Sequence, residues 1–197
     1  EYLAKTLQGL EGVLADELRA LGAKDIQVQR RAVSFKGDKK CLYKANFWLR
    51  TALRILKPVA TFQVKSPDDV YTAIKKLKLE EFITADKTFS IDTTVYSETI
   101  NHSRYVTYKA KDAIVDYFSE KYGKRPSVSV ANPDIYFNLH ISHTTCTLSL
   151  DSSGAPLFKR GYRVAQTEAP INEVLAAGLL MLSGWKGQCD FIEPMCG

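Results

Sequence analysis

The first 63 residues alternate strand-like and helix-like segments, and this alternation limits the possible folds more than any other feature of the sequence. Tyr2 to Leu7 is a short strand pattern, and leucines at helical spacing follow it. Alternating apolar residues on both sides of Arg30 and Arg31 predict a hairpin. A second helical pattern begins near Leu42, and residues 54–62 return as a strand. The order β-α-β-β-α-β is typical of a ferredoxin-like unit, so we predict an α+β fold with such a domain at residues 1–63.

Three aromatic residues of the second helical segment allow two interpretations. Tyr43, Phe47 and Trp48 could form a platform on which bases stack. Apolar residues at helical spacing more often belong to a core, however, so we expect these three side chains to be buried.

Residues 64–153 predict a second mixed α/β region. Ser66 to Asp69 combine a capping side chain, a proline and two acids, which is a favourable start for a helix. Thr88 to Tyr96 is rich in β-branched and aromatic residues, which predicts a strand. A long helix is predicted from Arg104 to Tyr122, and two strands joined by a tight turn over residues 135–150.

Basic residues of the long helix lie outside its apolar stripe. The stripe consists of Val106, Ala110, Ala113, Ile114, Tyr117 and Phe118. Arg104, Lys109 and Lys111 lie off it, and Lys124 and Arg125 follow the helix. These cations either solvate an exposed face or, together with the loop of residues 101–103, hold RNA phosphates. His102 in that loop is expected to be exposed rather than catalytic.

A second basic segment follows the predicted sheet. Lys159, Arg160 and Arg163 lie in a loop, with Tyr162 between the two arginines. Basic residues interleaved with an aromatic residue suit single-stranded RNA, where phosphate pairing and base stacking combine. They suit an interdomain hinge equally well.

Composition limits the classes of protein to be considered. The chain has 27 basic and 22 acidic residues, and the net charge of +5 favours polyanionic partners without proving nucleic-acid binding. No apolar run approaches the roughly 20 residues that span a bilayer. The cysteines, Cys41, Cys146, Cys189 and Cys196, have no close-paired spacing, which favours reduced thiols and a cytoplasmic protein without a metal site. His140 and His143 do not share one face of their strand.

The last nine residues have the pattern of a ligand site. Phe191 and Ile192 predict a short strand that ends at Glu193, and a glycine-containing turn follows it. In an α/β sheet this arrangement opens a ligand crevice at the carboxyl edge. The alternative is an ordinary strand followed by a frayed tail.

Four motifs carry a resemblance to a known family. Phe191 to Gly197, read FIEPMCG, resembles the Asp-Pro-Met-Cys-Gly-Ser-Gly-Thr motif of the RNA methyltransferases that carry a THUMP domain. Residues 169–178 are similar to the Ala-Pro-Ile-Lys-Glu-Thr-Leu-Ala-Ala segment of that family, and Lys159 to Arg163 also match. Lys109 to Asp116 are similar to its Lys-x-Lys-Asp-Ala-Ile-x-Asp signature, and Asn132 to Asp134 to its Asn-Pro-Asp turn.

The resemblance implies a domain organisation and an activity. The ferredoxin-like domain at residues 1–63 would precede a THUMP RNA-binding domain at 64–153. A linker at 154–168 would follow, and residues 169–197 would be the first helix and strand of a truncated Rossmann-like methyltransferase domain. S-adenosylmethionine would be the cofactor, with its site begun by Glu193, Pro194, Met195, Cys196 and Gly197. Glu193 replaces the usual Asp. The catalytic motif would lie beyond Gly197, so the chain alone is expected to be inactive.

The implied reaction is methyl transfer to an exocyclic guanine nitrogen of large-subunit ribosomal RNA. Two alternatives remain open. Related enzymes are often described as adenine-specific DNA methylases, because the catalytic motifs look alike. A tRNA-modifying enzyme or a stand-alone RNA-binding module is the other alternative.

Overall fold

The computed structural model describes residues 1–161, 165 and 168–194. The chain divides into two compact units, the first formed by Glu1–Leu56 with Ala155–Gly197 and the second by Lys57–Gly154. Each unit has its own buried core.

The first unit contains the predicted ferredoxin-like arrangement. Its elements are β1 (Tyr2–Lys5), α1 (Glu11–Ala20), β2 (Lys24–Gln29), β3 (Ala32–Lys36), α2 (Lys39–Trp48) and the start of β4 (Arg54–Gln63). β1 pairs antiparallel with β3 on one side and with residues 54–56 of β4 on the other, and β2 pairs antiparallel with β3. The strand order β2-β3-β1-β4 and the element order β-α-β-β-α-β confirm the sequence-based prediction.

Both helices of this unit pack on the sheet through small and branched side chains. The fully buried residues include Leu14, Leu18, Val33, Phe35, Ala45 and Ile55. The Glu17 carboxylate accepts hydrogen bonds at 3.0 Å from the backbone amides of Arg50 and Thr51, which ties α1 to the segment after α2. Burial and these polar contacts together hold α2 in place.

The aromatic residues of α2 are exposed, so the prediction that Tyr43, Phe47 and Trp48 belong to the core is wrong. The buried face of α2 instead consists of Cys41 and Ala45, and Leu49 continues it after the helix end. Tyr43 follows the buried Cys41 by two positions, and Phe47 follows the buried Ala45 by two. Two positions along a helix correspond to a rotation of about 200° around its axis. Small side chains let the helix lie close to the sheet, and the large ones point away from it.

The second unit has a mixed sheet covered by two helices. Its elements after β4 are α3 (Pro67–Lys75), a single 3₁₀ turn (Leu79–Glu81), β5 (Thr88–Tyr96), α4 (Ser103–Tyr122), β6 (Ser127–Val128), β7 (Ile135–Ser142) and β8 (Thr145–Asp151). The strand order is β4-β8-β7-β5-β6. β5 pairs parallel with β7 from Phe89 opposite Ile135 to Tyr96 opposite Ser142, and β7 and β8 form an antiparallel hairpin.

Local sequence signals determine where the two helices of this unit begin and end. The Ser66 hydroxyl accepts from the Asp69 amide at 3.3 Å, and the Asp69 carboxylate accepts from the Ser66 amide at 2.9 Å, which is a reciprocal capping box. Hydrogen bonds from the backbone amides of Lys65 and Ser66 lower the pKa of Asp69. α4 ends at Gly123, whose φ of 64° is the left-handed conformation that glycine adopts without strain.

The core of the second unit lies between the sheet and these helices. Val106, Ala110, Ala113, Ile114 and Phe118 of α4 are buried against β5, β7 and β8. This confirms the apolar stripe predicted for the long helix, of which Tyr117 is a partly buried member.

The C-terminal segment of the first unit contains α5 (Glu173–Leu182). The Asn172 side chain caps this helix by accepting from the Val174 amide at 2.9 Å. The strand predicted over Phe191 to Glu193 is absent: these residues belong to no helix or strand that the structure describes. A short parallel strand depends on neighbours for its hydrogen bonds, and no strand among the described residues pairs with this one.

Candidate nucleic-acid interface and cofactor segment

Lys109 of α4 links two helices of the second unit. Its Nζ lies 2.6 Å from the Asp68 carboxylate of α3 and 5.5 Å from the centre of the Tyr105 ring. The hydrogen bond to Asp68 raises the pKa of Lys109. The positive charge of this lysine is therefore partly neutralised by its own domain.

The remaining predicted cations of this region are arranged differently. Lys111 pairs with the neighbouring Asp112 at 2.6 Å. Arg104, Lys124 and Arg125 are exposed, and none forms an ion pair with another residue that the structure describes. Since α4 has 20 residues, Arg104 at its start and Lys124 beyond its end lie about 30 Å apart. The structure thus places unpaired cations at both ends of α4 rather than in one cluster.

Acidic residues that the sequence analysis did not single out form ion pairs with lysines near the C-terminal end of α4. Lys75 of α3 pairs with Glu120 of α4 at 2.7 Å, and Lys121 pairs with Glu80 at 2.7 Å. The Glu80 carboxylate also accepts a hydrogen bond from the Tyr117 hydroxyl. Hydrogen bonds from Lys121 and Tyr117 lower the pKa of Glu80 to about 2, and its carboxylate raises the pKa of Lys121. Partners this far apart in sequence could not be identified from local patterns.

The loop before α4 is accessible. Asn101 and His102 are exposed, as predicted for His102, and so is Ser103, the first residue of α4. The His102 side chain does not cap the helix, and the first turn of α4 has no acidic residue. This loop therefore leaves the positive end of the helix dipole without a compensating carboxylate in that turn.

Arg160 has a structural role that the sequence did not suggest. Its guanidinium donates to the backbone carbonyls of Phe47 and Leu49 at 2.7 Å each, and to that of Asn46 at 3.2 Å. These carbonyls lie at the end of α2 and form the negative end of its dipole, which a cation stabilises. Lys159 is exposed beside it, whereas Arg163 and Tyr162 lie outside the described residues.

The cofactor segment is only partly described. Glu193 and Pro194 are exposed, and Met195, Cys196 and Gly197 lie outside the described residues. Upstream, the Trp185 indole donates to the Cys189 carbonyl at 2.8 Å and its ring lies 5.4 Å from that of Phe191. α5 exposes the apolar side chains Leu175, Leu179 and Leu182, which are spaced to form one helix face.

Other kinds of site find little support among the described residues. A groove of about 390 Å³ lies between the end of β4 and α3, and it is lined by none of the basic residues predicted to bind RNA. No group of three histidine, cysteine or acidic side chains in the described part of the chain is placed to hold a metal ion. Cys41, Cys146 and Cys189 are free thiols, and burial raises the pKa of Cys146 to about 12. No described helix has the length and apolar character needed to cross a membrane.

Three family descriptions match successive parts of the chain. Residues 1–56 match the RlmL ferredoxin-like domain, residues 64–151 match the THUMP domain, and residues 160–197 match the RMKL-like methyltransferase domain.

Relatives of known name match the whole chain. A ribosomal RNA large subunit methyltransferase K/L of Syntrophotalea carbinolica is 42% identical over 202 residues, which include 100% of this chain and 28% of that protein. A Synechocystis protein described as an RNA methyltransferase is 39% identical over 196 residues, covering 100% of this chain and 51% of the relative. The chain thus spans about half the length of these relatives or less.

Solved structures share the fold. A protein described as a methyltransferase and crystallised with SAH superposes with a TM-score of 0.82 at 30% identity, covering 100% of this chain and 52% of the other. A Listeria monocytogenes protein described as an N6-adenine-specific DNA methylase superposes with a TM-score of 0.79 at 32% identity, covering 93% and 48%.

In order along the chain, the matches are to a ferredoxin-like domain, a THUMP domain and part of a methyltransferase domain. The chain is thus similar, along its whole length, to methyltransferases that carry a THUMP domain.

Proposed function

We propose that this chain is the RNA-recognising part of an S-adenosylmethionine-dependent methyltransferase that modifies an exocyclic guanine nitrogen of large-subunit ribosomal RNA. The observation that carries the proposal is the order of the three domain matches along the chain, combined with 42% identity to a ribosomal RNA large subunit methyltransferase. Domain boundaries at residues 63, 153 and 168 are part of the proposal.

The chain's own contribution is to hold and position RNA. Arg104 and Lys111 of α4, with Lys124 and Arg125 beyond it, supply cations that contact phosphates. Lys159 and Arg163 would extend this set in the first unit. Lys109 and Arg160 belong to the proposed set as well, although Asp68 and the α2 carbonyls already bind them in the free chain.

The cofactor would bind in the domain that α5 begins. When bound, S-adenosylmethionine supplies the methyl group as an electrophile. Glu193 suits the start of its site, because an exposed carboxylate can accept hydrogen bonds from hydroxyl groups of the ligand. Pro194, Met195, Cys196 and Gly197 would continue that site. The exposed apolar face of α5 also supports this reading, since a helix of a Rossmann-like domain covers a sheet with such a face.

Catalysis would depend on residues outside this chain. We assign no catalytic residue within residues 1–197 and expect the chain alone to transfer no methyl group. The target base would have to leave its stack to reach the methyl group, and RNA held by this chain would set which base is presented. A cytoplasmic location belongs to the same proposal and is supported by the buried thiols Cys41 and Cys146.

The test is substrate choice by an enzyme that includes the downstream domain. Equal amounts of ribosomal RNA, tRNA and duplex DNA would be offered with labelled S-adenosylmethionine, and modified nucleosides identified by mass spectrometry. We expect label in the large-subunit ribosomal RNA as a methylated guanine, and none with the 197-residue chain as the enzyme. Label in DNA adenine would favour the alternative raised by the Listeria relative, and label in tRNA alone would also contradict the proposal.

A further inference from the structure

One side of α2 carries three large aromatic side chains in solvent. Tyr43 is 72% exposed, Phe47 is 69% exposed and Trp48 is 61% exposed. The rings of Phe47 and Trp48 meet edge to face with centroids 5.1 Å apart. We call these three residues the aromatic face. Their exposure leaves apolar ring surface in water, and none of the three contributes to the buried core of the unit.

Lysines surround the aromatic face. Lys39, Lys40 and Lys44 are exposed, and none forms an ion pair with another described residue. Residues three or four apart are neighbours on a helix surface, so Lys40 lies beside Tyr43, and Lys44 lies beside Phe47 and Trp48. No acidic residue occurs within α2. The surface therefore combines exposed π systems with lysines that form no ion pair among the described residues.

This surface is part of a fixed element. The Asp38 carboxylate caps the start of α2 by accepting from the Cys41 amide at 2.7 Å. Arg160 binds carbonyls at the other end, and Ala45 and Leu49 are buried beneath the helix. A fixed helix presents its side chains at low entropic cost to a ligand.

We propose that the aromatic face binds unpaired bases of single-stranded RNA while Lys40 and Lys44 contact the adjoining phosphates. Base stacking on aromatic rings combined with cations along the backbone is how proteins bind single strands. A protein partner would have to bring its own acids to balance the lysines, whereas RNA carries a phosphate at every nucleotide. The inference rests on the proposed function in taking RNA as the substrate. It adds a contact for unpaired bases in the first unit, on residues outside the predicted RNA-binding set.

Trp48 provides a direct reporter of this contact. The chain has two tryptophans, so Trp185→Phe leaves Trp48 as the single indole. Oligouridine of about 10 nucleotides and an RNA duplex of equal length would be titrated into this variant. Stacking of a base on Trp48 quenches its emission, so we expect saturable quenching by oligouridine and much weaker quenching by the duplex.

Substitutions on the aromatic face then separate stacking from charge. Tyr43→Ala and Phe47→Ala are each expected to weaken oligouridine binding by about five- to fifty-fold. The double variant Lys40→Ala, Lys44→Ala should bind oligouridine with a shallower slope of log affinity against log salt. The slope should fall in magnitude by about 1.4, the value for two phosphates of a single strand. Tyr96→Ala, which removes a 60% exposed tyrosine of the second unit, is the matched control and should leave this affinity unchanged.

The outcomes distinguish this inference from the proposed function. The inference would be overturned if anisotropy showed that oligouridine binds without quenching Trp48 emission, and that it binds the Tyr43→Ala and Phe47→Ala variants as tightly as the parent chain. The proposed function would remain intact in that case. A chain that includes the downstream domain gives a second check by acrylamide quenching. If Trp48 is already protected from acrylamide in that chain without RNA, the aromatic face contacts protein and the inference is overturned. Failure of that longer chain to bind any RNA would overturn both.

Discussion

Gly178 of α5 lies directly against Leu10, at the start of α1. A Cβ atom added at Gly178 would lie 2.5 Å from both terminal methyl carbons of Leu10, which is itself buried. Glycine at this helical position therefore permits the close approach of α5 to α1 within the first unit. The helix that begins the methyltransferase segment is held to the ferredoxin-like domain by this contact.

Gly178→Val should loosen that contact. We expect a loss of about 1–3 kcal/mol in the free energy of unfolding, because the branched side chain has to displace buried Leu10. Thermal denaturation followed by circular dichroism measures it. Gly12→Ala is the matched control: Gly12 is also helical, and a Cβ there meets nothing within 4 Å, so this change should be neutral or stabilising. Equal melting temperatures for the two variants would contradict the close approach.

Arg160 can be tested for its two roles at once. Arg160→Ala should destabilise the chain by about 1–3 kcal/mol, because three carbonyls at the end of α2 lose a charged donor. Arg160→Lys keeps the charge but not the planar fork, so it should restore RNA affinity more fully than stability. Chemical denaturation and RNA anisotropy on both variants give the comparison. An Arg160→Lys chain as stable as the parent would argue against the helix-capping role.

The cations of α4 should affect RNA binding more than folding. Lys109→Ala combined with Lys111→Ala should cost about 1 kcal/mol of stability or less, since both ion pairs are solvent-accessible. Ile114→Ala should cost about 2–5 kcal/mol, because Ile114 is fully buried. If the lysine variant melted as low as the Ile114 variant, the assignment of the helix faces would be wrong.

RNA binding by the chain should depend on salt. If about three phosphates are neutralised, the slope of log affinity against log salt should be about −2 to −3. Lys124→Ala with Arg125→Ala should make this slope shallower, because both side chains are unpaired among the described residues. Affinity that stays constant between low and physiological salt would exclude phosphate contacts as the basis of binding.

Glu80 should contribute to stability at neutral pH and not in acid. Its folded-state pKa of about 2 lies below the value of 4.5 for a free glutamate, because Lys121 and Tyr117 donate to its carboxylate. The contribution is therefore fully present above about pH 4.5 and is lost as the pH falls toward 2. Glu80→Gln should lower the melting temperature at pH 7 and have less effect near pH 2. Glu81→Gln, at an exposed neighbour, is the control and should behave like the parent chain at both values.

Cofactor binding should require the downstream domain. Calorimetry should detect no micromolar binding of S-adenosylmethionine to the 197-residue chain, because Glu193 is exposed and no strand in the described part of the chain pairs with its segment. In a chain extended by that domain, Glu193→Ala should weaken the cofactor more than RNA. Micromolar binding by the short chain would mean that the cofactor site lies elsewhere in the protein.

Local sequence patterns were sufficient for most elements of the fold. The strand Thr88–Tyr96 was predicted with its observed limits, and α4 begins one residue before the predicted Arg104. Ser66, Pro67 and Asp69 predicted the start of α3, and Gly123 the end of α4, because capping involves residues a few positions apart. Such signals depend on the backbone of the element itself and need no tertiary contact.

Tertiary structure alone decided which side of α2 faces the core and which cations remain free. Periodicity placed Tyr43 and Phe47 on one helix face but could not tell whether that face or the one of Cys41 and Ala45 meets the sheet. Arg160 and the carbonyl of Phe47 are 113 residues apart, and Lys109 is 41 positions from Asp68 (109 minus 68), so no local pattern indicates either pairing. The predicted strand before Glu193 failed for the same physical reason, since a strand is stabilised by hydrogen bonds to its neighbours and not by its own sequence.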